Sequence, residues 1–105
     1  MNINKKISDT MKFMEDLTGG PLTFGKSLES IRLSAEMSQT EFARKLKISS
    51  SHLCDIEKGR KVVSAARAAK FAKILGYSQA QFVRLALQDI VTDSGLKMKV
   101  SVEAA

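Results

Sequence analysis

Apolar residues recur at helical spacing along most of the chain, and the period breaks at a few marked positions. Phe24, Leu28, Ile31 and Ala35 share one face of a helix that opens near Thr23. Met37 and Ser38 then turn the chain. Ser38 and Glu41 form S-x-x-E, a capping box in which each side chain satisfies an orphan backbone N–H. Phe42, Ala43 and Leu46 make the inner face of the next helix. Ile48 and Ser49 close a tight turn, and Ser49 caps a helix with Leu53 and Ile56 facing inward. Gly59 suits the left-handed position just past its end. Ser64 caps a further helix whose buried face is Ala65, Ala68, Ala72 and Leu75, ended by Gly76. Ser78 and Gln81 form a second box, S-x-x-Q, opening a helix with Phe82, Val83, Leu85, Ala86, Leu87, Ile90 and Val91. That helix is too apolar for one surface stripe, so part of it is expected to meet something beyond the domain's own core.

The two ends behave differently. Ile7, Met11 and Met14 predict a short helix from about Ser8 to Leu17, closed off by the breaker Gly19-Gly20-Pro21. After Asp93-Ser94-Gly95 the period changes from helical to strict alternation. Leu96, Met98, Val100 and Val102 alternate with Lys97, Lys99, Ser101 and Glu103, the pattern of a β-strand. A lone strand has nowhere to satisfy its backbone and needs a partner, either the same strand of a second chain or the edge of another protein. The alternative is a disordered tail. The expected organisation is a helix and linker over 1–22, a helical domain over 23–92, and a strand for dimerisation over 93–105.

Composition narrows the class. The chain has 105 residues and one cysteine, Cys54, so no internal disulfide forms. With His52 as the single histidine, no Cys/His metal site can be built within one chain, and no cofactor is expected. No apolar run is long enough to span a bilayer, and the N-terminus lacks the pattern of a signal peptide, which points to a cytoplasmic location. No nucleophile–base pair, carboxylate dyad, metal-ligand set or phosphate loop argues for an enzyme. The net charge of +6 favours polyanionic partners. No acid occurs between Lys58 and Gln88, while Lys58, Arg60, Lys61, Arg67, Lys70, Lys73 and Arg84 do. A solvated helical face is the bland reading of such a run.

Ser38 to Arg60, two short helices about a tight turn with serines and basic residues on the second, has the layout of a helix-turn-helix. Gln39, Glu41, Ala43, Ile56, Glu57 and Gly59, in QTEFARKL followed by IEKGR, resemble the lambda-repressor-like, or Xre-type, helix-turn-helix family. The resemblance covers about Phe24 to Val91. It implies an all-α fold of five helices, here with an extra N-terminal helix and a C-terminal β-strand. It also implies that Gln39 contacts phosphate and braces the recognition helix. Ser50, Ser51 and Asp55 fall where the family reads base edges, Lys58 and Lys61 where it touches backbone. Arg32 and Glu57 match a pair that the family joins as an internal salt bridge. Two departures stand out. Lys47 replaces the usual turn glycine, at a cost of about 1 kcal/mol if left-handed, and Val62-Val63 replaces the usual proline.

Helix geometry sorts the recognition helix, about 50–58, independently. Ser51, Asp55 and Lys58 lie along one stripe, opposite Leu53, Ile56 and Glu57. Serine hydroxyls fit any base, and Asp55 can accept from cytosine N4 or simply face solvent. His52 can donate to a phosphate or be an ordinary surface histidine. Cys54 reads as a packing residue. The candidate DNA contacts are Gln39, Thr40, Ser49, Ser50, Ser51, His52, Asp55, Lys58, Arg60 and Lys61. Phe82, Ala86, Ile90, Leu96, Met98, Val100 and Val102 are the candidate dimerisation residues.

The leading expectation is a sequence-specific DNA-binding transcriptional regulator acting on double-stranded DNA as a homodimer. The alternative is an antitoxin, the same domain with its N-terminal helix or C-terminal strand neutralising a partner toxin. Neither involves a membrane.

Overall fold

The computed structural model describes residues 22–105. The expected helix from about Ser8 to Leu17 and the Gly19-Gly20-Pro21 break lie outside the described residues. Among those, the elements are α1 (Phe24–Ser34), α2 (Gln39–Leu46), α3 (Ser50–Glu57), α4 (Ala65–Leu75) and α5 (Gln79–Asp93). No strand occurs among them.

Local chemistry explains where each helix starts. Thr23, Ser38, Ser49, Ser64 and Ser78 are extended N-caps, and each side-chain oxygen accepts from the backbone N–H three residues on. Ser38 and Glu41 complete a full capping box. That backbone hydrogen bond from Ser38 holds the Glu41 carboxyl below its usual range. The second box, expected at Ser78 and Gln81, forms only by half: Ser78 Oγ accepts from Gln81 N, while Gln81 Oε1 accepts from Arg84 Nε at 3.2 Å instead. The helix ends carry strain. Lys47 closes α2 in the left-handed region (φ 62°, ψ 40°), and Glu36 in the α1–α2 turn is also left-handed (φ 56°). Each costs about 1 kcal/mol relative to glycine, so tertiary contacts must hold both turns.

One core joins all five helices. Leu28, Phe42, Leu46, Leu53, Ile56, Phe71 and Leu85 are fully buried within it. α4 and α5 make the most extensive helix–helix contact of the domain, and Ala68 and Ala72 of α4 are fully buried. Phe82 meets Phe24 edge-on at 5.6 Å and stacks on Tyr77 at 5.7 Å. Val63, after α3, is buried and plugs the core, while Val62 stays exposed.

Two contacts lock α1 in place. A Cβ on Gly25 would overlap the carbonyl oxygen of Ile56 and lie 3.0 Å from that of Glu57. Glycine therefore lets the start of α1 lie directly on the end of α3. The N–H of Phe24, at the first turn of α1, donates to Asp89 Oδ2 of α5 at 3.0 Å. Desolvation raises the Asp89 carboxyl above its usual range, and Asp93 pushes it the same way.

The C-terminus corrects the sequence-based expectation. The strand expected over 93–105 is not formed: α5 runs through Asp93, and residues 96–105 adopt neither helix nor strand. Leu96 and Met98 are exposed, whereas Val100 and Val102 are half-buried. A strand needs a neighbouring backbone to pair with, and the side of a helix offers none. Gln88 of α5 substitutes for one rung of a ladder. Its carboxamide donates to Met98 O at 2.9 Å and accepts from Val100 N at 2.8 Å. The dimerisation candidates also need correction. Phe82 and Ala86 are buried in the domain's own core and are not surface. Their apolar character is absorbed by Phe24, Tyr77 and the α4–α5 packing, which leaves only Ile90 and the tail on the outside.

Candidate nucleic-acid interface

The α2–α3 pair is set by a buried carboxylate. Arg32 Nε donates to Glu57 Oε2 at 2.9 Å and its Nη2 to Oε1 at 3.1 Å, a bidentate pair between α1 and α3. Gln39, first residue of α2, donates its amide to the same Oε1 at 3.0 Å. Arg32 also donates to Met37 O at 3.2 Å, inside the α1–α2 turn. The Glu57 side chain is fully buried, so one carboxylate gathers α1, α2 and α3 at a single point. Its hydrogen bonds raise the Arg32 guanidinium above its ordinary value. This network aims α3 outward and fixes the beginning of α2 beside it.

The outer face of α3 carries the other candidates. Ser49, Ser50 and Ser51 are exposed at its start, and Thr40 is exposed on α2. Ser49 Oγ is engaged as the cap of α3, so Ser50 and Ser51 hold the uncommitted hydroxyls. Lys58, Arg60 and Lys61 are exposed beyond its end. Asp55 is half-buried among these cations. Its Oδ1 meets Arg60 at 3.3 Å and its Oδ2 meets Lys61 at 3.7 Å. Its carbonyl oxygen accepts from Arg60 N at 2.8 Å. An aspartate held this way organises the basic loop after α3 before any partner arrives. Exposed pairs of this kind contribute little stability, so the arrangement acts on position.

The structure brings Gln39, Thr40, Ser49, Ser50, Ser51, Asp55, Lys58, Arg60 and Lys61 to the α2–α3 side of the domain. Ile90 belongs to α5, and Leu96 and Met98 to the tail after it; the end of α5 comes close to the basic loop, where Asp89, Thr92 and Asp93 line one pocket with Gly59 and Lys61. His52, also on α3, has a neighbour that pattern reading missed. Arg67 Nη1 of α4 lies 3.3 Å from its Nδ1 and 3.1 Å from its Nε2. Arg67 belongs to the acid-free basic run, which was the available signal, but its distance to His52 depends on how α4 crosses α3.

Two helices at a fixed angle, the first braced by its initial glutamine and the second presenting a polar stripe, define a helix-turn-helix, a DNA-binding class of fold. A family model described as a helix-turn-helix domain matches residues 23–85, more than half of the chain. The protein belongs to that helix-turn-helix family, in keeping with the lambda-repressor-like character of its α2 and α3. No curated protein and no solved structure matches the chain. Among the described residues, no helix is long and apolar enough to cross a membrane.

Proposed function

We propose that this protein is a sequence-specific transcriptional regulator, a binder and not an enzyme, that sets α3 into the major groove of double-stranded DNA as a homodimer. The observation that carries the reading is the division of α3 into two faces. Glu57, Leu53 and Ile56 are locked inside, while Ser50 and Ser51 project outward next to the cationic rim of Lys58, Arg60 and Lys61. Serines can approach base edges, and the rim supplies phosphate contacts that fix register. Gln39 serves both ends of this arrangement, since its amide braces Glu57 while α2 begins beside it.

A second copy is the partner we assign to the C-terminal end. Ile90, Leu96 and Met98 are 39%, 50% and 64% exposed, apolar side chains without cover on the last turns of α5 and the tail. A helix-turn-helix dimer places two recognition helices about one DNA turn apart, roughly 34 Å. Selection of bound duplexes from a random pool tests both parts at once. The expected result is an enriched sequence with two-fold symmetry and half-sites one turn apart. Failure to enrich any sequence would refute specific readout. Enrichment of a single asymmetric site would refute the dimer and leave the apolar tail to another protein, which is the antitoxin alternative.

A further inference from the structure

His52 lies on the first turn of α3, between the serine positions and α4. Basic residues of two other elements act on it there, Arg67 by contact and Lys61 by charge. Arg67 reaches across from α4, and its Nη1 is almost equidistant from both ring nitrogens, so it is aligned with neither lone pair. Lys61 comes from the loop after α3. Burial, then the charges of Arg67 and Lys61, hold the ring below the ordinary histidine range, and Asp55 acts in the opposite direction. Asp55 is itself engaged by Arg60 and Lys61, so it does not neutralise the ring. The ring is therefore held toward its neutral form beside the Arg67 guanidinium, with the charge of Lys61 acting in the same direction. Such a cluster is unfavourable alone and becomes favourable around an anion.

We propose that His52, Lys61 and Arg67 form a seat for one backbone phosphate of DNA beside the recognition helix, and that occupation of this seat puts a proton on His52. The inference rests on the DNA-binding reading above and adds Arg67 to the interface. A phosphate brought next to the imidazole favours the charged ring. It also turns Arg67 and Lys61 from neighbours that oppose protonation into partners of the same anion. The imidazolium then donates a charge-assisted hydrogen bond to a phosphate oxygen. Phosphate and proton are reciprocally linked: if DNA raises proton affinity, the proton raises DNA affinity by the same factor. The sign follows. His52 titrates below its unperturbed value in the unbound protein and higher in the complex. Between those two midpoints DNA binding takes up a proton, and affinity rises as pH falls. The limit for one proton is about tenfold per pH unit.

His52 is the only histidine, so its imidazole resonance can be followed without assignment. The experiment titrates that resonance in the full chain, alone and with a short random-sequence duplex at low salt. Affinity for the same duplex is measured by fluorescence anisotropy at about pH 6 and about pH 8, spanning the histidine range. The midpoint is expected to move upward on the duplex. Binding should be several-fold tighter at the lower pH, and H52Q should bind equally at both. Arg67→Gln should lower the salt slope by about one. An imidazole midpoint unchanged by DNA, or an H52Q variant that keeps the pH dependence, overturns the proposal while DNA binding stands. A duplex that binds at neither pH overturns the DNA-binding reading and this proposal together.

Discussion

The α2–α3 pair and the C-terminal tail show opposite relations between pattern and structure. Both carry clear periodicity, 3.6 in one and 2 in the other. The helical pair is formed because every requirement is local or nearly so. Its caps are three residues from the groups they satisfy, and its backbone bonds close within each helix. The tail has the same quality of apolar pattern and no strand, because a strand's hydrogen bonds must come from elsewhere. Gln88 supplies one rung and the rest of the tail has none from a strand. Periodicity reports which side of an element is apolar. It does not report whether a non-local backbone partner exists.

The comparison breaks first at the buried carboxylate. Arg32→Ala leaves Glu57 buried with only the Gln39 amide as a side-chain partner, and should lower stability by about 3–5 kcal/mol in chemical denaturation. The double change Arg32→Met/Glu57→Leu should recover much of that loss, short of full recovery because the Gln39 amide then loses its acceptor. Losses of the single Arg32→Met and Glu57→Leu changes that simply add in the double change would count against a direct pair. A smaller effect of opposite sign is expected in the α2–α3 turn. Lys47 is exposed and left-handed, so Lys47→Gly should raise the urea midpoint by the equivalent of about 1 kcal/mol, with an unchanged slope. The smallest effect belongs to the tail. Gln88→Ala removes three neutral, largely exposed hydrogen bonds, with Thr92, Met98 and Val100. It should cost about 0.5 kcal/mol or less, yet speed amide exchange at Val100 while the helices keep their protection.

How far each feature was legible follows the same division. Helix boundaries were readable because serine caps and left-handed glycines act on neighbouring residues. The Arg32–Glu57 register was readable only through resemblance, since 25 residues separate the partners. Two features left no local trace, and a third left only a general one. Gly25 looks like any helical glycine until α3 is laid against it. Asp89 looks like a surface acid until Phe24 N meets it. Arg67 looks like one more cation in a basic run until α4 sets it against His52. The misreading of Phe82 and Ala86 has the same origin: an all-round apolar helix signals burial, and pattern alone does not say whether the burying surface is the domain's own or a partner's.

The side built by α2, α3 and the basic loop is expected to meet DNA while the tail does not. Backbone amide shifts of the full chain, recorded as a duplex selected from a random pool is added, test it most directly. Perturbations should concentrate at Gln39 and Thr40, across Ser49–Lys61, and at Arg67, with Leu96–Val102 unmoved by contact with DNA. Perturbations centred on the tail, with α3 unchanged, would contradict it.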